Sequence, residues 1–279
     1  MRPSAAARVA LRTLIRMQIK GSTVLLTGAT GGIGHAIARA LHAEGADLLL
    51  TGRRIEVLAG LASEVDAEVL ASDLGDRADV ESLIAAAGEV DIVIANAGLP
   101  GSGPLLHFGQ DDMDRCLEVN LRAPMALCRA LAPGMVARGR GHFTFISSLS
   151  GLAAAGGSSV YSATKFGLRG FAHGVRQDLH GSGVGVSVVL PGFISDAGMF
   201  AESGATLPRG IRTSTPEQVA AAVLKSIVKN RAEIVVAPPE MHAGALVATV
   251  APGLAAAISR RSPAGRIAED MAVGQHAKR

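Results

Sequence analysis

Tyr161 is the only tyrosine in the chain, and Lys165 follows it by four residues. On a helix, residues i and i+4 share a face, so the phenol and the ammonium are expected side by side. A phenol titrates at about pH 10 in water, too high for efficient proton transfer at neutral pH. A cation alongside stabilises the phenolate and brings the group toward the working range of a general acid/base. Thirteen residues before Tyr161 stands Ser148, at the end of Ile146-Ser147-Ser148, where its hydroxyl could hold a substrate oxygen. An isolated Tyr-x-x-x-Lys pair is more simply a half-buried packing residue with a solvated neighbour. Its weight therefore depends on what accompanies it.

What accompanies it is a set of loops suited to a dinucleotide. An apolar run ends in Thr27-Gly28-Ala29-Thr30-Gly31-Gly32-Ile33-Gly34, and a helical pattern starts there. Glycines permit a tight turn and let backbone N–H groups and the helix N-terminus approach a pyrophosphate. Gly28, Thr30, Gly31, Gly32, Ile33 and Gly34 are the candidate contacts, with a plain strand-to-helix turn as the alternative. The second strand ends Leu50-Thr51-Gly52-Arg53-Arg54, where an NAD enzyme usually places an acid for the adenosine ribose hydroxyls. Arg53 offers instead a planar donor fork that suits a 2′-phosphate, which favours NADP(H) and leaves NAD(H) and a solvated basic loop as alternatives. Asp73, in Ser72-Asp73-Leu74, reads equally as an acceptor for an adenine amine and as a helix cap. Asn96-Ala97-Gly98 is a small-residue turn after the fourth strand, at the end of the sheet where ligands bind in open α/β folds.

These residues need a scaffold, and the chain supplies the pattern of one. From Ser22 onward short β-type runs alternate with helical stretches, the mark of βαβ units and a parallel sheet covered on both faces. Strands are expected near 23–27, 47–51, 68–71, 91–95, 142–147, 185–190 and 234–237, with helices such as 33–44, 77–87, a long one around 112–138, and 159–179. The fold class is therefore α/β, a Rossmann-type doubly wound seven-stranded parallel sheet with helices on both faces. The expected division is a basic extension over 1–20, a single NAD(P)-binding catalytic domain over 21–240 with a substrate loop at about 193–213, and an apolar helix and tail over 241–279.

Composition narrows the class further. At 279 residues the chain suits one large domain, and 48% apolar with 18% charged residues argues against disorder. The net charge of +3 comes from the front, where Arg2, Arg8, Arg12, Arg16 and Lys20 face no acid, leaving 22 basic against 24 acidic residues in the rest. With that balance and no basic-aromatic interleaving, nucleic acid is excluded as a partner. The first residues read as a basic amphipathic helix for targeting or a membrane surface, as a solvated arm, or as sequence ahead of a start at Met17; no secretory signal is expected from their pattern. Cys116 and Cys128 fall on one helical stretch, twelve residues or roughly 18 Å apart, and are expected as buried, unbridged thiols in a cytoplasmic protein. No metal-ligand spacing surrounds them.

In this order, TGATGGIG, the Asn96 turn, Asn120 within Val119-Asn120-Leu121, Ser148, YSATK from Tyr161, and Pro191-Gly192 resemble the short-chain dehydrogenase/reductase superfamily over about 21–237. The resemblance implies that Tyr161 exchanges a proton with the reacting oxygen while Ser148 orients it. It implies that Lys165 binds the nicotinamide ribose and tunes Tyr161, that Asn120 supports a water in a proton relay, and that Pro191, Gly192 and Ile194 line the nicotinamide end. It also implies a homodimer or homotetramer packed through the long helices. The run Pro191-Gly192-Phe193-Ile194-Ser195-Asp196 lacks the threonine the family often has. Ser195 could substitute, or Asp196 could pair with a base in the loop.

The expected activity is NADP(H)-preferring interconversion of a carbonyl and an alcohol. The substrate is expected to be apolar or lipid-like, because the stretch 193–213 offers Phe193, Ile194, Met199 and Phe200 and the segment after Asn96 adds Leu99, Leu105, Leu106 and Phe108, with packing of these residues on the protein itself as the alternative. A catalytically silent nucleotide sensor and a lyase or epimerase with tightly held NADP are the rival readings. The uncharged segment from Met241 to Ser259 is expected as a buried or subunit-contacting helix, with peripheral membrane contact and insertion as lesser alternatives.

Overall fold

The computed structural model describes residues 17–204 and 212–261. Most of the basic extension, the tail beyond 261 and residues 205–211 of the expected substrate loop lie outside the described residues.

Seven apolar runs form strands: β1 (Thr23–Thr27), β2 (Asp47–Thr51), β3 (Glu68–Val69), β4 (Ile92–Ala95), β5 (Gly141–Ile146), β6 (Val184–Pro191) and β7 (Glu233–Val236). All pair in parallel, in the order β3-β2-β1-β4-β5-β6-β7. The expected doubly wound sheet is met, with β3 shorter than its apolar run suggested. Successive side chains of a strand point to opposite faces, and each face has its own helical cover. Val24 and Leu26 of β1 pack in one layer with Ile37 of α1 (Gly32–Ala43). Leu25 packs in the other, with Phe143 and Phe145 of β5. Burial on both faces is why these strands read as unbroken apolar runs.

The remaining helices are α2 (Ile55–Val65), α3 (Arg77–Ala87), α4 (Gln110–Leu117), α5 (Ala123–Arg138), α6 (Ser159–Asp178), α7 (Gly198–Ser203), α8 (Pro216–Lys229), α9 (Pro239–Val250) and α10 (Pro252–Arg261). α8 joins α1 on the first face, while α5 and α6 supply Leu127 and Leu168 to the second. Helix starts follow local chemistry. At α8, Thr215 and Gln218 form a reciprocal capping box with Pro216 in the first turn. At α3 the Asp76 carboxylate accepts the N–H groups of Ala78 and Asp79, so the capping role that one reading gave Asp73 belongs to Asp76.

Three expectations are corrected. The long helix around 112–138 is α4 and α5 joined by a π-helical turn, Glu118–Arg122, centred on Asn120. The substrate loop contains a short helix, α7. The terminal apolar segment is two helices broken at Pro252 rather than one, with Ala245 buried but Leu246, Val247, Val250, Leu254 and Ile258 exposed, which leaves subunit contact as the open alternative. Proline has no N–H and blocks the preceding turn, which accounts for the break. Among the described residues no helix is long and apolar enough to cross a membrane. Cys116 and Cys128 are buried and unbridged, and burial pushes their thiols up to about 11 and about 12.

Candidate active site

The strand order reverses between β2-β1 and β4, and this switch point opens a crevice beyond the carboxyl ends of the strands. Two turns wall it. Gly28, at φ 65°, faces the Asn96 turn so closely that a Cβ there would stand 2.7 Å from Ala97 Cα. A Cβ on Gly34 would stand 2.4 Å from the Gly28 carbonyl oxygen. Only glycine at both positions lets the first turn of α1 fold back on β1. Thr27, which the sequence reading did not single out, ties the two turns together: its hydroxyl accepts the N–H groups of Asn96 and Ala97, each at 3.0 Å. The Asn96 amide donates in return to the carbonyls of Thr27 and Gly28, at 3.0 and 3.1 Å.

A groove runs from these turns past the ends of β2 and β3. It brings together Gly28, Thr30, Gly31, Gly32, Ile33, Gly34, Arg53, Asp73, Leu74, Asn96, Ala97 and Gly98 of the expected contacts. Arg53 is exposed at its rim and, among the described residues, has no ion pair. Arg54 donates to the Thr30 carbonyl at 2.6 Å and braces the glycine turn. Burial raises the Asp73 carboxyl, but hydrogen bonds from Arg115 and the Gly75 N–H outweigh it and hold the group below the usual carboxylate range. Glycines without side chains, free N–H groups at a helix start, an unpaired guanidinium and no acid at the tip of β2 together fit a phosphorylated dinucleotide.

The groove continues into a second cavity of about 310 Å³, and Ile33, Asn96, Gly98 and Met199 border both. Ser148, Tyr161, Lys165, Pro191, Gly192 and Ile194 line this second cavity. Tyr161 and Lys165 stand one turn apart on α6 with Lys165 Nζ 5.5 Å from the phenol ring centre, and Nζ donates to the Ile146 carbonyl at 3.0 Å. Burial pushes the Tyr161 phenol up to about 12, opposed by its hydrogen bond with the Ser148 hydroxyl. Burial likewise brings the Lys165 ammonium down to about 8. Both shifts disfavour charge in a dry pocket, the setting in which a cation and an oxyanion attract strongly.

Asn120 is fully buried in the π turn rather than open to the cavity. Its amide oxygen accepts from the Leu99 N–H at 2.6 Å and its nitrogen donates to the Leu99 carbonyl at 3.0 Å and to Thr164 at 3.3 Å. The bonds are mostly tertiary, not the local ones of an ordinary helix-interior asparagine. They fasten the loop after the Asn96 turn to the helix carrying Tyr161. The Ser195 hydroxyl, considered as a stand-in for threonine, donates to the Ser214 carbonyl at 3.3 Å. Asp196, at φ 63°, has no ion pair among the described residues.

The cavity wall is mostly apolar: Leu149, Phe193, Met199, Phe200 and Met241 line it, and Lys165 is the one formally charged residue among its described lining. Met241 comes from α9. No local signal pointed to it, because its place depends on the C-terminal chain returning over the sheet.

Known proteins share this architecture. The model of the family described as short chain dehydrogenase matches residues 22–208. The ketoacyl reductase HetN of Nostoc sp. is 36% identical over 227 residues, covering 78% of this chain and 79% of its own. Dehydrogenase/reductase SDR family member 7B of Bos taurus is 30% identical over 265 residues, covering 86% and 81%. A solved short-chain dehydrogenase from Sphingobium yanoikuyae in complex with NADPH superposes with a TM-score of 0.73 at 28% identity, over 84% of this chain and 94% of that one.

Proposed function

The chain belongs to the short-chain dehydrogenase family and is an NAD(P)-dependent oxidoreductase; on that premise we propose that it prefers NADP(H) and reduces an uncharged, apolar carbonyl compound, with Tyr161 as the general acid. One observation carries the reading. The only tyrosine of the chain shares a hydrogen bond with Ser148 and lies beside Lys165, in an apolar cavity continuous with a groove suited to a dinucleotide.

When bound, the cofactor supplies the hydride. The protein's part is to hold the substrate and move a proton. The Ser148 hydroxyl donates to the carbonyl oxygen and fixes its position. The Tyr161 phenol gives its proton to that oxygen as negative charge builds there, and Lys165 stabilises the phenolate left behind. Asn120 holds the Leu99 loop against α6, so the proton donor and the floor of the groove keep their separation. Arg53 binds the 2′-phosphate that distinguishes NADP(H) from NAD(H). Sites, substrate class and cofactor preference thus form one reading, to which the NADPH complex of the Sphingobium relative lends support.

The same reading extends to assembly. Leu117, Met125 and Phe166 are exposed apolar residues on α4, α5 and α6, and they support a homodimer or homotetramer packed through these helices.

The test is a panel of aliphatic, aromatic and fused-ring ketones, followed by nicotinamide absorbance with purified wild type and Tyr161→Phe. Turnover of at least one apolar ketone with NADPH, abolished in Tyr161→Phe while NADPH still binds, is the expected result. Turnover retained by Tyr161→Phe would refute the assignment of the acid. NADP that copurifies with the protein and is needed in no added amount would point to internal redox chemistry instead.

A further inference from the structure

Asp73 has a partner on a different element. Arg115 of α4 reaches the turn after β3 and donates through Nη2 to both carboxylate oxygens, at 2.8 Å to Oδ2 and 3.2 Å to Oδ1. Oδ1 also accepts the Gly75 N–H at 2.9 Å. Position 75 is shaped around this contact. A Cβ there would stand 2.8 Å from Arg115 Nη1 and 3.2 Å from Asp73 Oδ1, so a larger residue would push the guanidinium out of its present position. The pair is not a sheltered structural bridge. Both side chains are about one-third exposed, and Asp73 borders the groove, whose lining also includes the apolar Leu74, Ala97 and Val119.

Two bonds on Oδ1 and one on Oδ2 stop the carboxylate from rotating and leave an acceptor position open on Oδ2. A charged carboxylate can only accept, so it welcomes an amine and repels a carbonyl oxygen at the same spot. Resting on the dinucleotide reading above, we propose that Arg115 is a positioning residue that fixes Asp73 to read the exocyclic amine of the cofactor's adenine. Arg115 touches neither the reacting atoms nor the base. It sets the direction in which Asp73 accepts, and thereby the choice of base.

The test compares calorimetric Kd values for NADPH and for its deamino analogue, in which hypoxanthine replaces adenine and a carbonyl oxygen replaces the amine. Wild type is expected to prefer NADPH by on the order of tenfold, the scale of one hydrogen bond to a charged acceptor. Arg115→Met is expected to bring the two affinities within about twofold, mainly by weakening NADPH, and Arg115→Lys, which keeps charge but not the fork, to fall between. Gly75→Ala approaches the clamp from its other side and is expected to lower the preference as well; it carries the test should Arg115→Met fail to fold. A purely structural ion pair would change stability without changing the ratio. A wild-type ratio near one, or an Arg115→Met ratio equal to wild type, overturns the proposal while leaving the dinucleotide reading intact. Binding of neither nucleotide by wild type would overturn both.

Discussion

On the proposed reading Tyr161 is the residue on which the chemistry turns, and its surroundings specify how it should behave. Removing its hydroxyl in Tyr161→Phe is expected to lower kcat by about 10²–10⁴, the usual worth of a positioned acid, with NADPH affinity little changed. In the oxidative direction the active form is the phenolate, so activity should climb with pH. Burial pushes the phenol up to about 12 despite its hydrogen bond with Ser148, and Lys165, 5.5 Å from the ring centre, is the cation placed to stabilise the phenolate. Lys165→Met should therefore move the climb to higher pH by about one unit or more, read from kcat/KM profiles for alcohol oxidation. Identical profiles would show that the two groups are not coupled. The Tyr-Lys spacing and Ser148 were legible because helix geometry and strand ends are local properties. Thr27, Arg115 and Met241 were not, since each acts through a contact with a segment remote in sequence.

The elements show the same division. Strand positions were readable to within a few residues because burial on both faces leaves unbroken apolar runs such as Leu48-Leu49-Leu50. The glycine turn was readable because its constraint is steric. Gly34→Ala puts a Cβ 2.4 Å from the Gly28 carbonyl oxygen, and calorimetry should show NADPH affinity reduced by at least about tenfold as the turn opens, a cost on the order of 1.4 kcal/mol. Unchanged affinity would mean that the turn does not hold the cofactor. The π turn at Asn120 was hidden. Asn120 there makes a pair of bonds to Leu99, which no helical periodicity records. The break at Pro252 was visible in the residue itself, yet the uncharged stretch around it read as a single helix until the fold showed two exposed ones.

At the scale of the whole molecule, stability carries a pH signature away from the active site. His142 of β5 is fully buried beneath α8 with Nε2 2.9 Å from Ser187 Oγ, and burial, with Arg176 nearby, pushes its imidazole down to about 3. The unfolded chain takes up a proton near pH 6.5 that the folded chain refuses until about 3. Stability should thus fall as pH drops through that window, by about 1.4 kcal/mol per unit and about 2 kcal/mol between about pH 7 and pH 5 from this group alone. His142→Gln cannot titrate, and urea midpoints at the two pH values should lie closer together than in wild type. A second expectation concerns assembly: Phe166, 41% exposed on α6, lies on a helix proposed for subunit contact. Phe166→Asp should shift sedimentation toward the monomer, and an unaltered profile would direct attention to another face. The parallel sheet was legible in the sequence as a whole, whereas the exposed apolar face of α9 and α10 depends on how the terminal chain lies across it.

The most direct test of the cofactor assignment is calorimetric titration of wild type and Arg53→Ala with NADPH and NADH. The account predicts at least tenfold tighter binding of NADPH by wild type, about 1.4 kcal/mol, with most of that preference lost in Arg53→Ala. Equal affinities for the two nucleotides in wild type, or a preference that survives Arg53→Ala undiminished, would contradict it.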